Sequence, residues 1–367
     1  MMDELAPGIP VPAPSLKSEE QSVGQDWARL KTYLDSQGLI LAIDPPPRQF
    51  AGGFANLNYL VRINGDQAVL RRPPLGSLPP GAYDMGRESR ILLRLWRCFP
   101  LAPRAMHLCE DTGVLGAPFQ ITEYRLGVSF RDSLPPALAG DASIGARLGA
   151  MMINVLAQLH AVDPAEVGLD DLGKPDGFLE RAVEGWIKRA SLSTRELAGP
   201  QTLALIGDIG RWLRAQPVPA GRVSLLHNDF KLDNVLVNPQ SLEPVAVLDW
   251  DQGSRGDSLF DLATLLSYWT ERDDPPVMHQ LRQMPTAGPG FPTRREEVEV
   301  YARLAQCDLS GFRFRRVLGM FKTAVIMQQL YVRYRAGVTE DPRYAEFGDL
   351  AAGLFEFAHE ISRARVF

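Results

Sequence analysis

The chain changes texture once, near Gly127, and that change limits what it can fold into. From about residue 48 to 123 apolar residues follow strand spacing. Residues 59–63 run into Asn64-Gly65, a hairpin turn pair, and 67–71 return. A Pro- and Gly-rich stretch, 73–81, leads into a helix expected over 83–96. A second strand pair is expected at 105–110 and 119–124, around the turn Asp111-Thr112-Gly113. Beyond Gly127 the period becomes helical: Leu148, Met151, Met152, Val155, Leu156 and Leu159 line one face of 145–160. Further helices are expected at 178–189, 203–215 and from 259 onward. A short β insert, 223–226, 235–237 and 245–248, interrupts them, and 284–292 reads as a flexible loop. The expected fold class is α+β, with no internal repeats. A small antiparallel β-sheet lobe with one helix, 25–125, precedes a larger, mostly helical lobe, 126–367.

A length of 367 residues favours two lobes over one core. The formal net charge of −5 lacks the basic surplus of a nucleic-acid binder, so none is expected as partner. Cys98, Cys109 and Cys307 form no C-x-x-C pair, which fits a reducing compartment and no zinc knuckle. Residues 1–24 carry four prolines and read as a mobile arm without the basic start or apolar stretch of a signal peptide. No apolar run reads as a membrane span. The expectation is a cytoplasmic protein without a membrane partner, working as a monomer or homodimer.

The chemistry concentrates in His227-Asn228-Asp229-Phe230-Lys231-Leu232-Asp233-Asn234, followed by Asp249-Trp250-Asp251 after an apolar strand. Taken singly, Asp229, Asn234 and Asp249 are turn formers. As an ordered set they match the needs of phosphoryl transfer. A carboxylate must orient the attacking hydroxyl, and oxygen ligands must hold the Mg²⁺ that neutralises the phosphates. Asp229 suits the first task. Asn234 and Asp249 suit the second, because Mg²⁺ takes one or two protein oxygens beside phosphates and waters. Asp251 is a further metal-ligand candidate. Protein kinases carry the same order of parts.

The segment resembles the His-Gly-Asp-x-x-x-x-Asn motif of the aminoglycoside phosphotransferase and choline kinase superfamily, with Asn228 where Gly is common. Asp249-Trp250-Asp251 resembles that family's Asp-Trp-Glu. The stretch from Gly256-Asp257 to Asp261-Leu262-Ala263 resembles its Gly-Asp-Pro-x-x-Asp-Leu-Ala, and Leu159-His160-Ala161-Val162-Asp163 its Leu-His-x-x-Asp. The resemblance implies a bilobal protein-kinase-like fold and an ATP- and Mg²⁺-dependent kinase acting on a small-molecule hydroxyl. It makes Asp261 an anchor for the catalytic loop and His160 a structural residue.

The same resemblance, over roughly 48–269, assigns the nucleotide side. Gly52 and Gly53, with Asn56 behind them, would let backbone N–H groups approach phosphates. Strand alternation puts Val69 and Arg71 on one face, Val69 to floor the adenine pocket and Arg71 to reach the α- and β-phosphates. Glu88 on the following helix would pair with Arg71. Backbone groups at Glu123 and Arg125 would meet the adenine edge. Arg71 stands where most kinases have Lys, and Ala55 where many relatives have Ser. Leu70-Arg71-Arg72-Pro73-Pro74 resembles the kinase-like branch found with acyl-CoA dehydrogenases.

Between Gly311 and Gly337 lie Arg313, Arg315, Arg316, Lys322, Arg333 and Arg335 with no acid. They read either as a solvated helix face or as an anion-binding surface. The second reading, with the branch resemblance, favours a hydroxyacyl-CoA or similar acidic acceptor over an aminoglycoside. Two rivals stand beside this: a pseudokinase-like ATP-binding module, suggested by Ala55 and Arg71, and an Asp-x-Asp phosphohydrolase, which the missing βα repeat disfavours.

Overall fold

The computed structural model describes residues 13–51, 56–74, 84–194, 197–339 and 341–367. The chain divides into two compact units: Met1–Ser129 with Val167–Leu169 and Val235–Gly253, and Phe130–Glu166 with Asp170–Asn234 and Ser254–Phe367.

The first unit begins with α1 (Trp27–Ser36), β1 (Leu41–Ala42), β2 (Arg48–Gln49), β3 (Leu57–Ile63) and β4 (Asp66–Arg72). It continues through α2 (Met85–Leu95), β5 (Ala105–Cys109), α3 (Thr112–Leu115) and β6 (Phe119–Glu123). The antiparallel sheet runs β1-β3-β4-β6-β5, with β2 also on β3. Asn64 and Gly65 both take positive φ, 52° and 93°, and close the β3–β4 hairpin with Ile63 opposite Asp66. That is the turn their pairing promised. Tyr59, Val61 and Ile63 of β3, Ala68 and Leu70 of β4, and Phe119 and Ile121 of β6 form a core with Leu30 and Leu34 of α1. The expected turn at 111–113 is instead one turn of helix. Asp111 caps it by accepting the Gly113 N–H at 2.7 Å. Of the segment read as a mobile arm, residues 15–17 pair with the sheet edge: Lys17 N–H donates to Gln49 O and Ala51 N–H to Ser15 O, both at 2.8 Å. An edge strand offers such unpaired groups to any nearby chain. The hairpin Val235–Val237/Pro244–Val247 joins this unit through Val128–Val237 bonds and Val247 N–H to Leu101 O at 2.8 Å.

The second unit is mostly helical: α4 (Pro136–Ala139), α5 (Ala142–Ala161), α6 (Phe178–Thr194), α7 (Pro200–Ala215), α8 (Ser258–Tyr268), α9 (Pro276–Leu281), α10 (Arg294–Ala305), α11 (Phe312–Arg335) and α12 (Phe347–Ser362). One strand pair, Val223–Leu226 with Ser254–Asp257, lies among them. All eleven residues of α8 are buried. The backbone of α11 closes on it at Gly319, where a Cβ would lie 2.9 Å from Ala263 O. By length and composition α5 could cross a membrane, contrary to the expectation of no such run. Half of its most apolar window is buried inside the protein.

Two further expectations fail here. The 284–292 segment is packed: Met284 and Thr286 are buried, and Thr286 Oγ1 donates to Thr270 O at 2.9 Å while accepting the Thr270 N–H at 2.8 Å. The cations of α11 form neither a solvated face nor a continuous anion-binding surface, because Arg315, Arg316 and Lys322 are buried. Arg315 pairs with Asp257, the N-cap of α8, at 2.7 Å, and Arg316 donates to Ser267 Oγ at 3.1 Å. A buried cation needs such partners to offset its lost hydration.

Candidate active site

The strand Val223–Leu226 delivers the chain into the loop 227–234, and α8 holds that loop from below. Asp261 accepts the backbone N–H of His227 at 2.7 Å and of Asn228 at 2.8 Å. His160 Nε2 lies 3.3 Å from the same carboxylate, and its Nδ1 lies 2.6 Å from Tyr301 OH. Burial pushes the Asp261 carboxyl up, but His160 and the backbone donors outweigh burial and hold it below the usual range. Asp261 therefore serves as the anchor, and His160 as the structural residue, that the resemblance implied. Asn228 takes a left-handed φ of 64°. Gly adopts that conformation without cost and Asn tolerates it, so the Asn-for-Gly departure satisfies the backbone.

Asp229 is 16% exposed and accepts three donors: Tyr268 OH on Oδ1 at 3.0 Å, and Asn234 Nδ2 and Lys231 Nζ on Oδ2, each at 3.2 Å. Asn234 Nδ2 also donates to the Asp229 carbonyl at 2.8 Å. With its amide nitrogen so engaged, Asn234 has Oδ1 to offer a cation. Beneath the loop, buried Lys322 donates to Asn228 O at 2.6 Å. Burial lowers its pKa, against the pull of Asp229 and Asp261. Sequence reasoning did not single out Tyr268, and it placed Lys322 only among the cations of α11, not beneath this loop. Their chemistry depends on burial, and the one available signal was the position of Tyr268, seven residues beyond Asp261 on one helix.

The first unit contains the other predicted cluster. Val69 and Arg71 share the face of β4 opposite Ala68, Leu70 and Arg72, as alternation required. Arg71 Nε lies 2.9 Å from Glu88 Oε2, and its Nη2 pairs with Asp249 Oδ1. With its amide oxygen turned to the guanidinium, Asn56 accepts from Arg71 Nη2 at 2.7 Å. Burial disfavours the charge on Arg71, but Glu88, Asp249 and Asp251 together raise its proton affinity. Burial pushes the Glu88 carboxyl up against the pull of Arg71. Asp249 holds a left-handed φ of 68°, a strained conformation for a non-glycine residue. The Asp251 carbonyl accepts from Arg87 Nη1 at 3.5 Å. At the end of β6 the Glu123 N–H is already spent on Arg104 O at 2.9 Å, and Arg125 Nε contacts Glu123 Oε1 at 2.5 Å. Of the Glu123 backbone groups, the N–H is thus unavailable to an adenine edge. Gly52 and Gly53 lie outside the described residues, as does Ala55.

Among the described residues no three His, Cys, Asp or Glu side chains cluster as a metal site. A Mg²⁺ held by one or two protein oxygens and by phosphates needs no such cluster, so hard oxygen donors such as Asn234 and Asp249 fit it.

Within the second unit, a cavity of about 580 Å³ is lined by Leu134, Met278, Met284, Pro285, Arg282 and His279, among others, and Asp132 is its one acid. Met284 Sδ accepts the N–H of Leu232, a residue of the 227–234 loop, at 3.4 Å. The cavity wall therefore abuts the loop that carries Asp229.

Comparison with known proteins bears on the family and the fold. Acyl-CoA dehydrogenase family member 10 of Mus musculus is 29% identical over 360 residues, covering 97% of this chain and 32% of that protein. The chain spans about a third of the length of the curated relatives it matches. A solved Ralstonia eutropha protein of the aminoglycoside phosphotransferase type superposes with a TM-score of 0.75 at 25% identity, covering 93% of this chain and 99% of that one. Aminoglycoside phosphotransferase APH(4)-Ia, solved with AMP-PNP and hygromycin B, shares the fold at a TM-score of 0.57 and 17% identity, covering 92% and 99%. The model of the phosphotransferase enzyme family matches residues 47–297, which include both residue clusters. With a protein-kinase-like fold and that match over most of its length, the chain belongs to the phosphotransferase enzyme family.

Proposed function

We propose that this phosphotransferase moves the γ-phosphate of ATP, with Mg²⁺, onto a hydroxyl of a metabolite, a hydroxyacyl-CoA or other anionic substrate being the favoured acceptor. The observation that carries the reading is Asp229: a carboxylate steadied by three donors, on a loop whose backbone is clamped by Asp261. In this reading Asp229 orients the acceptor hydroxyl and takes its proton. Asn234 and Asp249 hold the metal, with Asp251 as a further candidate. Mg²⁺ there would neutralise charge on the β- and γ-phosphates. Arg71, positioned by Glu88 and Asn56, steadies the phosphates. Val69 serves the adenine, with the backbone at Arg125 and the carbonyl of Glu123, and Gly52 and Gly53 serve the phosphates.

The acceptor class rests on the cavity beside the loop. Apolar Leu134, Met278, Met284 and Pro285, with Arg282 and His279 at its edge and a single acid, suit an apolar chain bearing negative charge. A polycationic aminoglycoside wants several carboxylates. The relatives named for acyl-CoA dehydrogenases point the same way. The buried cations of α11 do not contribute to this argument.

A panel of acceptors with γ-labelled ATP tests the reading. Label transferred to hydroxyacyl thioesters and not to kanamycin-like amines supports it. The opposite pattern overturns the acceptor class, and no transfer or hydrolysis at all overturns the kinase reading.

A further inference from the structure

We propose that Tyr268 is the positioning residue for Asp229, holding Oδ1 so that one acceptor hydroxyl can be seated on that same oxygen. The proposal rests on the kinase reading above.

Tyr268 is 3% exposed, and its phenol lies 3.0 Å from Asp229 Oδ1. A buried phenol needs a hydrogen-bond partner, and an ionised carboxylate can only accept, so the proton of this bond comes from Tyr268. Burial and the neighbouring Asp229 raise the phenol pKa well above its ordinary value, which keeps that proton in place. A carboxylate has about four lone-pair sites. Asn234 and Lys231 take two on Oδ2, and Tyr268 takes one on Oδ1. Among the described residues, the remaining site is on the oxygen that Tyr268 holds.

The helix makes this a rigid arrangement. Asp261 and Tyr268 are seven residues apart on α8, close to two full turns, and so project from one face. Asp261 fixes the loop backbone at His227 and Asn228, and Tyr268 fixes the side chain of the next residue. One wholly buried helix thus sets both the path of the loop and the rotamer of its carboxylate. Lys231 adds its ammonium over the Tyr268 ring at 5.2 Å, which couples the donor on Oδ2 to the donor on Oδ1.

The test is a double-mutant cycle of Tyr268→Phe and Asp229→Asn, read as Mg-ATP hydrolysis with water in the acceptor's place. Nucleotide affinity and melting temperature are followed in parallel. Tyr268→Phe should lower kcat by about ten- to a hundred-fold, the scale of a misplaced reacting group. It should leave the KM for ATP and nucleotide binding within about twofold, and it should add no further loss in the Asp229→Asn background. Unchanged kcat, or a full additional loss in the double variant, overturns the proposal. So does a rise in the ATP KM with kcat kept. Should Tyr268→Phe fail to fold, a fluorotyrosine placed at 268 keeps the shape and alters only the donor. A changed kcat then supports the proposal, and an unchanged one overturns it. A wild type that binds nucleotide but neither hydrolyses it nor transfers label to any acceptor of the panel overturns the kinase reading and this proposal with it. A wild type with normal turnover and an indifferent Tyr268→Phe overturns this proposal alone.

Discussion

Asp261 accepts the backbone N–H of Asn228 at 2.8 Å, and with the bond from His227 N–H it ties the 227–234 loop to the most buried helix of its unit. Asp261→Asn would turn an amide donor toward at least one backbone donor and leave buried groups unpaired. It should destabilise the protein by about 3–5 kcal/mol, as read by denaturant unfolding, and abolish activity through loss of the loop.

Asn228→Gly relieves the left-handed φ of 64° but loses the bond from Nδ2 to Ser254 Oγ, so it should destabilise by no more than about 1 kcal/mol and retain most activity. Asn228→Val loses the same bond and adds the about 1–2 kcal/mol of a left-handed L-residue, so it should be the more destabilising of the two. Chemical denaturation of the two variants side by side checks the order.

These two residues show what sequence could and could not reveal. The Asn64-Gly65 hairpin, the shared face of Val69 and Arg71, and the Asp261 anchor were legible, because turn chemistry, strand alternation and motif spacing are local. Arg315, Arg316 and Lys322 were misread because a helix with several cations looks solvated until its neighbours supply partners. The strand Ser254–Asp257 has no apolar alternation and is a strand only through pairing with Val223–Leu226. Tyr268 ends an apolar run that reads as core, and its hydroxyl matters only because Asp229 lies beside it.

Arg71 and Glu88 form a buried pair whose structural and chemical roles can be separated. Arg71→Met should destabilise by about 3–5 kcal/mol, because Glu88 is left as an unpaired buried acid. Adding Glu88→Gln should restore most of that stability. Nucleotide affinity should remain low in both variants. Unfolding curves and nucleotide titrations on the single and double variants check this.

Glu297 is 1% exposed, and its Oε1 has no hydrogen-bond partner among the described residues. Burial, with Glu296 adding to it, pushes its carboxyl up to about 7. The folded state therefore holds this proton where the unfolded chain has released it. The contribution to stability is present below the ordinary Glu range and is lost as pH rises toward 7, by an amount on the order of 2–3 kcal/mol. Denaturant unfolding at pH 5 and pH 8 should show a smaller drop for Glu297→Gln than for wild type.

Asp229 stands at the centre of the account, and its removal is the most direct test. Mg-ATP consumption by wild type and by Asp229→Asn, measured with a hydroxyacyl thioester present, should differ by roughly 10²-fold or more. Melting temperature and nucleotide affinity should be unchanged. Equal rates in the two proteins would contradict the assignment of Asp229 as the group that orients and deprotonates the acceptor.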